Sequence, residues 1–239
     1  MINLFKQFIK KAFNQIGLDI VRISQSRRHS LLGLRHLPIQ TIIDVGANEG
    51  QFAKMLLNVF PKAQIYCFEP LPEAFKELDK WSKQKNGKVK AFNLALGDSE
   101  CEVEMFYHTE HSTSSSILET TEVCKKYYPF TKSQQTIKVK QTTLDKAIET
   151  FNIPMNPEIL IKLDVQGYED RVIKGARLIF SKAKACILEV CLDKLYEGQA
   201  NFEQIFTLLN GIGYIYAGNL GQTYADDGHV IFIDAVFVR

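Results

Sequence analysis

Apolar residues recur at helical spacing over residues 2–16. Ile2, Phe5, Ile9, Phe13 and Ile16 share a face with Leu4, Phe8 and Ala12, while Asn3, Lys6, Gln7, Lys10, Lys11 and Asn14 fill the other. The pattern predicts an amphipathic helix that lies on an anionic membrane surface, or packs on this protein or a second copy of it. Lysines interrupt the apolar stretch and no small-residue cleavage site follows, so it does not read as a signal peptide. Residues 24–38 are rich in Ser, Arg and His and read as a connector. From Thr41 the rhythm alternates between short apolar runs and amphipathic stretches. Strands are expected at 42–45, 64–68, 89–96, 159–164 and 185–191, and helices at 50–59, 72–83, 168–180 and 202–209. Repeated βα units imply a parallel, three-layer α/β sheet with right-handed crossovers. The last two runs, 214–217 and 229–237, have no helix between them and are expected to pair antiparallel.

The rhythm breaks between Gly97 and Ile159. Residues 101–107 and 136–140 alternate like half-exposed strands. They bracket a long loop with His108, His111, Ser112, Ser114, Ser115, Ser116 and the run Tyr127-Tyr128-Pro129-Phe130. Loops this long in compact domains are usually lids or binding loops. The expected organisation is an N-terminal helix and connector at 1–38, then one domain at 39–239 with an insertion at about 100–141.

Ligands of open α/β sheets bind beyond the carboxyl ends of the strands. The first strand runs into Asp44-Val45-Gly46-Ala47-Asn48-Glu49-Gly50, where Gly46 suits a turn with positive φ. The following helix start is expected to offer free N–H groups to a carboxylate. The second strand ends in Phe68-Glu69-Pro70, about 20 residues on, where a carboxylate meets a ribose diol. The third ends in Ala95-Leu96-Gly97-Asp98, an apolar wall and a short acid suited to an adenine ring and its amino group. The glycines match neither the dinucleotide G-x-G-x-x-G pattern nor a P-loop. Asp44, Glu69 and Asp98 would repel a pyrophosphate but suit a ligand carrying a sulfonium and an amino group. That charge argument favours S-adenosylmethionine over NAD or ATP.

Composition adds limits. Apolar residues are 46% and charged residues 23% of 239, an ordinary globular balance. The net charge of +2 hides a basic arm: residues 1–35 carry +6, and the remainder is slightly acidic, so no nucleic-acid surface is expected. The five cysteines form no C-x-x-C pair, and three sit in apolar runs. They read as reduced, mostly buried thiols of a cytoplasmic protein, with peripheral membrane attachment left open. No apolar run approaches the roughly 20 residues of a membrane span.

Five segments taken together resemble the FkbM-type methyltransferases, a branch of the class I S-adenosylmethionine-dependent enzymes. They are Ile43-Asp44-Val45-Gly46-Ala47-Asn48-Glu49-Gly50, Phe68-Glu69-Pro70-Leu71-Pro72, Asn93-Leu94-Ala95-Leu96-Gly97-Asp98, Leu163-Asp164-Val165-Gln166-Gly167-Tyr168-Glu169 and Asp234-Ala235-Val236-Phe237-Val238. The resemblance implies a Rossmann-like class I fold: a seven-stranded, mostly parallel sheet with an antiparallel last strand, plus the N-terminal helical extension. It also implies methyl transfer to a hydroxyl, often on a sugar or polyketide. Gly46 and Asn48 would then line the methionine end, Glu69 would hold the ribose, and Leu96 and Asp98 would border the adenine.

A sugar hydroxyl is weakly acidic, so a base would help the transfer. Asp164, ending a strand beside the glycine turn, is the first candidate; the same position would also suit a helix cap or a group holding the cofactor. His229 and His111 are the others. Glu169 and Glu189 lie near strand ends, and Asp164 with Glu189 could hold a divalent metal, although no denser acid cluster accompanies them. The acceptor is expected between loops 108–134 and 192–200 and the tail, with Tyr196-Glu197-Gly198-Gln199 facing it. Trp81 or Tyr127–Tyr128 could stack on a sugar, although Trp81 suits helix packing better. Two other functions fit the same fold: a non-catalytic nucleoside-binding module and an NAD-dependent oxidoreductase.

Overall fold

A computed structural model describes residues 2–18, 20, 31–109 and 111–239. Residues 24–30 of the expected connector lie outside the described residues. Its remainder is no passive link: Leu31 and Leu34 open a short 3-10 turn and are buried in the core. The N-terminal helix α1, Ile2–Gln15, forms as its spacing predicts. Phe13, Ile16, Leu18 and Ile20 are exposed.

The main sheet has seven strands. In chain order these are β1 (Thr41–Val45), β2 (Gln64–Phe68), β3 (Val89–Phe92), β7 (Ile159–Leu163), β8 (Ala185–Cys191), β9 (Ile215–Tyr224) and β10 (Val230–Val238). Their spatial order is β3-β2-β1-β7-β8-β10-β9. β10 is antiparallel to both neighbours, and the other printed pairings among β1, β2, β3, β7 and β8 are parallel. The fold is therefore the expected class I α/β arrangement with a reversed last strand. Side-chain alternation divides the core between the two faces of the sheet. Ile42, Ile65 and Leu160 pack toward helix α2 (Gln51–Val59), while Ile43, Val45, Ile161 and Leu163 pack toward the helices on the opposite face. Trp81, on helix α3 (Pro72–Lys83), packs on the α2 side of the sheet.

Three elements depart from the expected pattern. The single strand expected at 89–96 is two. The chain leaves β3 at Asn93, whose amide donates to the Glu69 and Pro70 carbonyls at 2.9 Å each. Ala95–Leu96, β4, then pairs with β6 (Gln135–Thr142) instead of β2. With β5 (Cys101–Tyr107) these strands form a separate three-stranded sheet, order β4-β6-β5, carried by the insertion. The loop between β5 and β6 holds a short helix α4 (Glu122–Tyr127), and α5 (Leu144–Thr150) follows β6; neither was legible as a periodic stretch.

The helix expected at 168–180 breaks into α6 (Glu169–Lys174) and α7 (Arg177–Phe180). The break sits at Gly175, where a Cβ would lie 1.9 Å from the Gly97 carbonyl oxygen. Backbone meets backbone there, and the Asp145 carboxylate caps the new helix by accepting from the Leu178 and Ile179 amides. α8 (Phe202–Asn210) begins in a capping box between Asn201 and Gln204.

Candidate active site

The site lies at the carboxyl ends of β1, β2 and β7, where parallel sheets place ligands. Gly46 turns the chain out of β1 at φ 71°, and a Cβ there would sit 1.9 Å from the Asp164 carbonyl. Only glycine allows this approach of the β1 and β7 ends. Asn48 continues the turn in the left-handed region at φ 47°, which asparagine tolerates.

The turn is held from inside. The turn's own amides are bonded within the protein, whereas the helix-start amides expected to meet a carboxylate belong to α2, which begins at Gln51. Gly46 and Ala47 donate to the Phe68 carbonyl, Asn48 N–H donates to Glu69 Oε2 at 2.7 Å, Glu49 N–H to the Asn48 side chain, and Gly50 N–H to the Ala47 carbonyl. Glu69 also accepts from Leu71 N–H at 2.9 Å. Burial pushes Glu69 up to about 7 despite those two donors.

A cleft of about 600 Å³ opens on this turn. Gly46, Asn48, Glu69, Pro70, Ala95, Leu96 and Asp164 all line it, which brings together seven of the residues singled out from sequence. Phe68, Leu94, Met105, Ile117 and Tyr168 add an apolar wall. Ser112, Thr113 and Ser115 reach in from the insertion, and Asn48 Nδ2 donates to Ser112 Oγ at 3.0 Å, tying insertion to turn. The serine-rich loop thus closes on this cleft.

Other expected residues stand apart from the lining. Asp44 and Ala47 are buried beneath the turn, and Gly50 packs against Leu78 and Trp81. Asp98 stays near the surface, its carboxylate 3.9 Å from Arg171 Nε. His111 packs on Phe130, ring centroids 4.1 Å apart. His229 lies between two carboxylates, Asp193 at 2.9 Å and Asp227 at 2.5 Å. Those partners raise its pKa, and His229 is not among the residues lining this cleft. Tyr128 packs with Tyr127 against Cys191 and Ile231, and Tyr127 also meets His229.

The central cation escaped the sequence reading. Lys162 sits inside the apolar run Ile159-Leu160-Ile161-Lys162-Leu163, directly opposite Asp44 in the β1–β7 register. Its Nζ lies 3.1 Å from Asp164 Oδ2, 3.6 Å from Asp44 Oδ1 and 3.4 Å from the Gly46 carbonyl. Burial would strip its proton, but the Asp164 and Asp44 carboxylates hold it above the ordinary lysine value. Asp44, fully buried, is pushed up by that burial even with Lys162 beside it.

Gln166 is the second element missed. At φ 55° it turns its amide inward, and Nε2 donates to Asp164 Oδ1 at 2.7 Å and Glu189 Oε1 at 2.8 Å. Tyr196 OH donates to its Oε1, so Tyr196 supports this amide and does not face a ligand. The space between Asp164 and Glu189, considered above for a metal, is bridged by an amide. Among the described residues no group of three or more His, Cys, Asp or Glu is arranged to hold a metal ion. Burial and the nearby Asp164 push Glu189 well above the ordinary carboxylate range. Glu169, at the start of α6, accepts from Val165 N–H at 3.0 Å and is pushed up to about 8 by burial.

Comparison with known proteins places this geometry. A family model described as "Methyltransferase FkbM domain" matches residues 44–216. The 2-O-methyltransferase NoeI of Sinorhizobium fredii (strain NBRC 101917 / NGR234) is 28% identical over 188 residues, 75% of this chain and 74% of that protein. The hexuronic acid methyltransferase AglP of Haloferax volcanii is 24% identical over 147 residues, 62% of this chain and 54% of that protein. A solved structure, methyltransferase FkbM from Methylobacillus flagellatus KT, superposes with a TM-score of 0.53 at 14% identity. It covers 84% of this chain, which spans only 44% of that longer one.

The buried acids make stability depend on pH. Glu69 and Glu169 keep their protons to about 7 and about 8 in the folded state, against 4.5 as their ordinary value. The folded chain therefore binds more protons across that window, and its stability falls as pH rises through it. Glu169→Gln removes one such group while keeping an acceptor for Val165 N–H. Urea unfolding at about pH 5 and about pH 8.5 should show the variant gaining on the parent by on the order of 4 kcal/mol between them. A gap that stays constant would contradict the assignment.

Proposed function

The chain belongs to the FkbM methyltransferase family, and from that premise we propose that it is an S-adenosylmethionine-dependent O-methyltransferase acting on a sugar hydroxyl. The observation that carries the reading is Asp164: it lines the cleft beside the glycine turn, and both its oxygens are fixed by donors, Lys162 and Gln166. The names of the relatives support the reaction, one a 2-O-methyltransferase and one acting on a hexuronic acid.

The residues fit the cofactor. Carboxylates at Glu69 and Asp164 suit a ligand with a sulfonium and an ammonium, and the buried cation Lys162 is already engaged by acids. Glu69 is placed to accept from a ribose diol, with the turn Gly46–Asn48 at the amino-acid end and Leu94, Leu96, Met105 and Ile117 about the base. A cofactor held there would supply an electrophilic methyl, the acceptor oxygen bonding to it as the carbon–sulfur bond breaks onto sulfur and the hydroxyl proton leaves. Asp164 receives that proton and orients the hydroxyl, while Lys162 and Gln166 hold its carboxylate in place. Such a base contributes about 10²–10⁴-fold. Ser112, Thr113 and Ser115 line the cleft from the insertion.

Calorimetry with S-adenosylhomocysteine tests the site. Because a ribose diol donates to the ionised carboxylate, affinity should rise as pH crosses about 7, where Glu69 titrates. Glu69→Ala should weaken binding by roughly 30-fold, or about 2 kcal/mol. Asp164→Asn should keep affinity within a fewfold yet lose transfer by ~100-fold or more. No binding by the parent would sink the reading, and full activity in Asp164→Asn would reduce that residue to scaffold.

For α1 the proposed role is attachment, to anionic membrane or to a second copy, through the exposed Phe13, Ile16 and Leu18. Among the described residues no helix is long and apolar enough to cross a membrane. Deleting residues 1–20 should leave S-adenosylhomocysteine binding intact while reducing co-sedimentation with anionic vesicles or lowering the sedimentation mass. A truncated chain identical to the parent in both assays would discard the role.

A further inference from the structure

Behind Asp164 a chain of polar groups runs from the end of β7 to the insertion. Gln166 and Gly167 follow one another in the left-handed region, at φ 55° and 91°. A Cβ on Gly167 would lie 3.1 Å from Tyr196 Cβ, so its missing side chain lets this turn pack against the Tyr196 ring. Tyr196 is 2% exposed and sits among Cys124, Cys191, Leu195 and Ile231. A phenol buried in such an apolar setting needs a partner for its hydroxyl. It finds one in Gln166 Oε1, with the Ser114 carbonyl 3.3 Å away on the insertion. Burial pushes the Tyr196 phenol well up, so it keeps its proton and acts as a donor.

That proton decides which end of the Gln166 amide faces Asp164. The two orientations of an amide have nearly the same shape and differ in where oxygen and nitrogen lie. With Oε1 taken by Tyr196, Nε2 points the other way and donates to Asp164 Oδ1 at 2.7 Å and Glu189 Oε1 at 2.8 Å. The reverse orientation has its own attraction. Glu189, pushed well above the ordinary carboxylate range by burial, carries a proton that an amide oxygen would accept. Asp164 would then face an amide oxygen instead of a donor. The same turn is also stitched to the insertion. Ser116 Oγ donates to the Gln166 carbonyl at 2.7 Å. Glu197 N–H donates to the Glu119 carbonyl at 2.8 Å, and Thr121 N–H to the Leu195 carbonyl at 2.9 Å. The segment that brings Ser112, Thr113 and Ser115 to the cleft therefore also grips the residues behind Asp164.

Resting on the methyltransferase reading above, we propose that Tyr196 is a positioning residue for methyl transfer: it acts through Gln166 to orient the Asp164 carboxylate, and it ties that orientation to the seating of the insertion. Tyr196 is not among the residues lining the cofactor cleft. Its effect reaches the reacting oxygens by way of one amide, whose polarity it sets. Replacing the phenol with a phenyl ring keeps the apolar packing and removes the proton alone.

The test uses the full chain and has two arms. In the first, the side-chain amide protons of Gln166 are followed by NMR, assigned by their loss in Gln166→Asn. In Tyr196→Phe they should move toward the position of a free glutamine and exchange with solvent about tenfold faster or more. In the second, transfer of a labelled methyl from S-adenosylmethionine is measured across a panel of methyl hexopyranosides. Tyr196→Phe should lower kcat about 10- to 100-fold while KM for S-adenosylmethionine and affinity for S-adenosylhomocysteine stay within about twofold, the binding showing that the variant is folded. In an Asp164→Asn background the same substitution should cost less than about twofold, because the group it positions is gone; a residue that merely supports the fold would cost the same in both backgrounds. Gln166→Asn, which suits the left-handed backbone but is one methylene shorter, should reproduce the loss in kcat. Unmoved Gln166 amide protons in Tyr196→Phe, an undiminished kcat, or an equal loss in the Asp164→Asn background would overturn the proposal. So would a fall in S-adenosylhomocysteine affinity as large as the fall in kcat. The first arm needs no acceptor and decides the proposal by itself if no glycoside of the panel is methylated. Absence of S-adenosylhomocysteine binding by the parent would instead mark failure of the underlying reading.

Discussion

A single buried ammonium organises this site. Lys162 joins the ends of β1 and β7 by facing Asp44 across the register, reaching the Gly46 carbonyl and holding Asp164. Burying a charge is costly unless it is paired, so the position of each partner is constrained by the others. Asp44 is fully buried, and the Lys162 ammonium at 3.6 Å is the ionic partner that offsets that burial. The pair therefore argues for placement more than for stability. It fixes where the glycine turn leaves the sheet and which way the Asp164 carboxylate points. Gln166 completes the restraint from the other side, so that Asp164 is held between an ammonium and an amide.

With that carboxylate fixed, two concavities of the surface meet at it. The cleft over β1 and β2 has one deeply buried acid, Glu69, apolar walls and a cover from the insertion. The groove over β8, β9 and β10 is open, polar and acidic, with aromatic surface. Transfer between two ligands requires a shared boundary at which both are aligned, and alignment alone can account for much of a barrier reduction. Asp164 is the residue common to both linings.

Much of this was legible in the sequence because the determinants are local. The helix at Pro72–Lys83 starts at a proline and follows its apolar period, and the strand Gln64–Phe68 is a compact apolar run. The turn residues at Gly46 and Asn48, and the acid ending β2, announced the cleft in the same way. What could not be read depends on contacts between distant segments. Asn93 ends β3 by bonding to carbonyls 23 and 24 residues back. Gly175 breaks its helix against Gly97, and nothing in residues 168–180 signals that approach. Lys162 is hidden for a related reason: a lysine in a strand reads as a solvent-facing position until the partner strand places an aspartate opposite it. His229 misled in the reverse direction, since its carboxylate partners Asp193 and Asp227 are visible only in space.

The central claim is that Asp164, held by Lys162 and Gln166, stands at the reacting end of the cofactor cleft. A crystal structure of the chain with S-adenosylhomocysteine bound tests it most directly. The account predicts the ribose on Glu69 and the thioether sulfur beside Asp164. A cofactor product bound outside this cleft, or one whose sulfur faces away from Asp164, would contradict it.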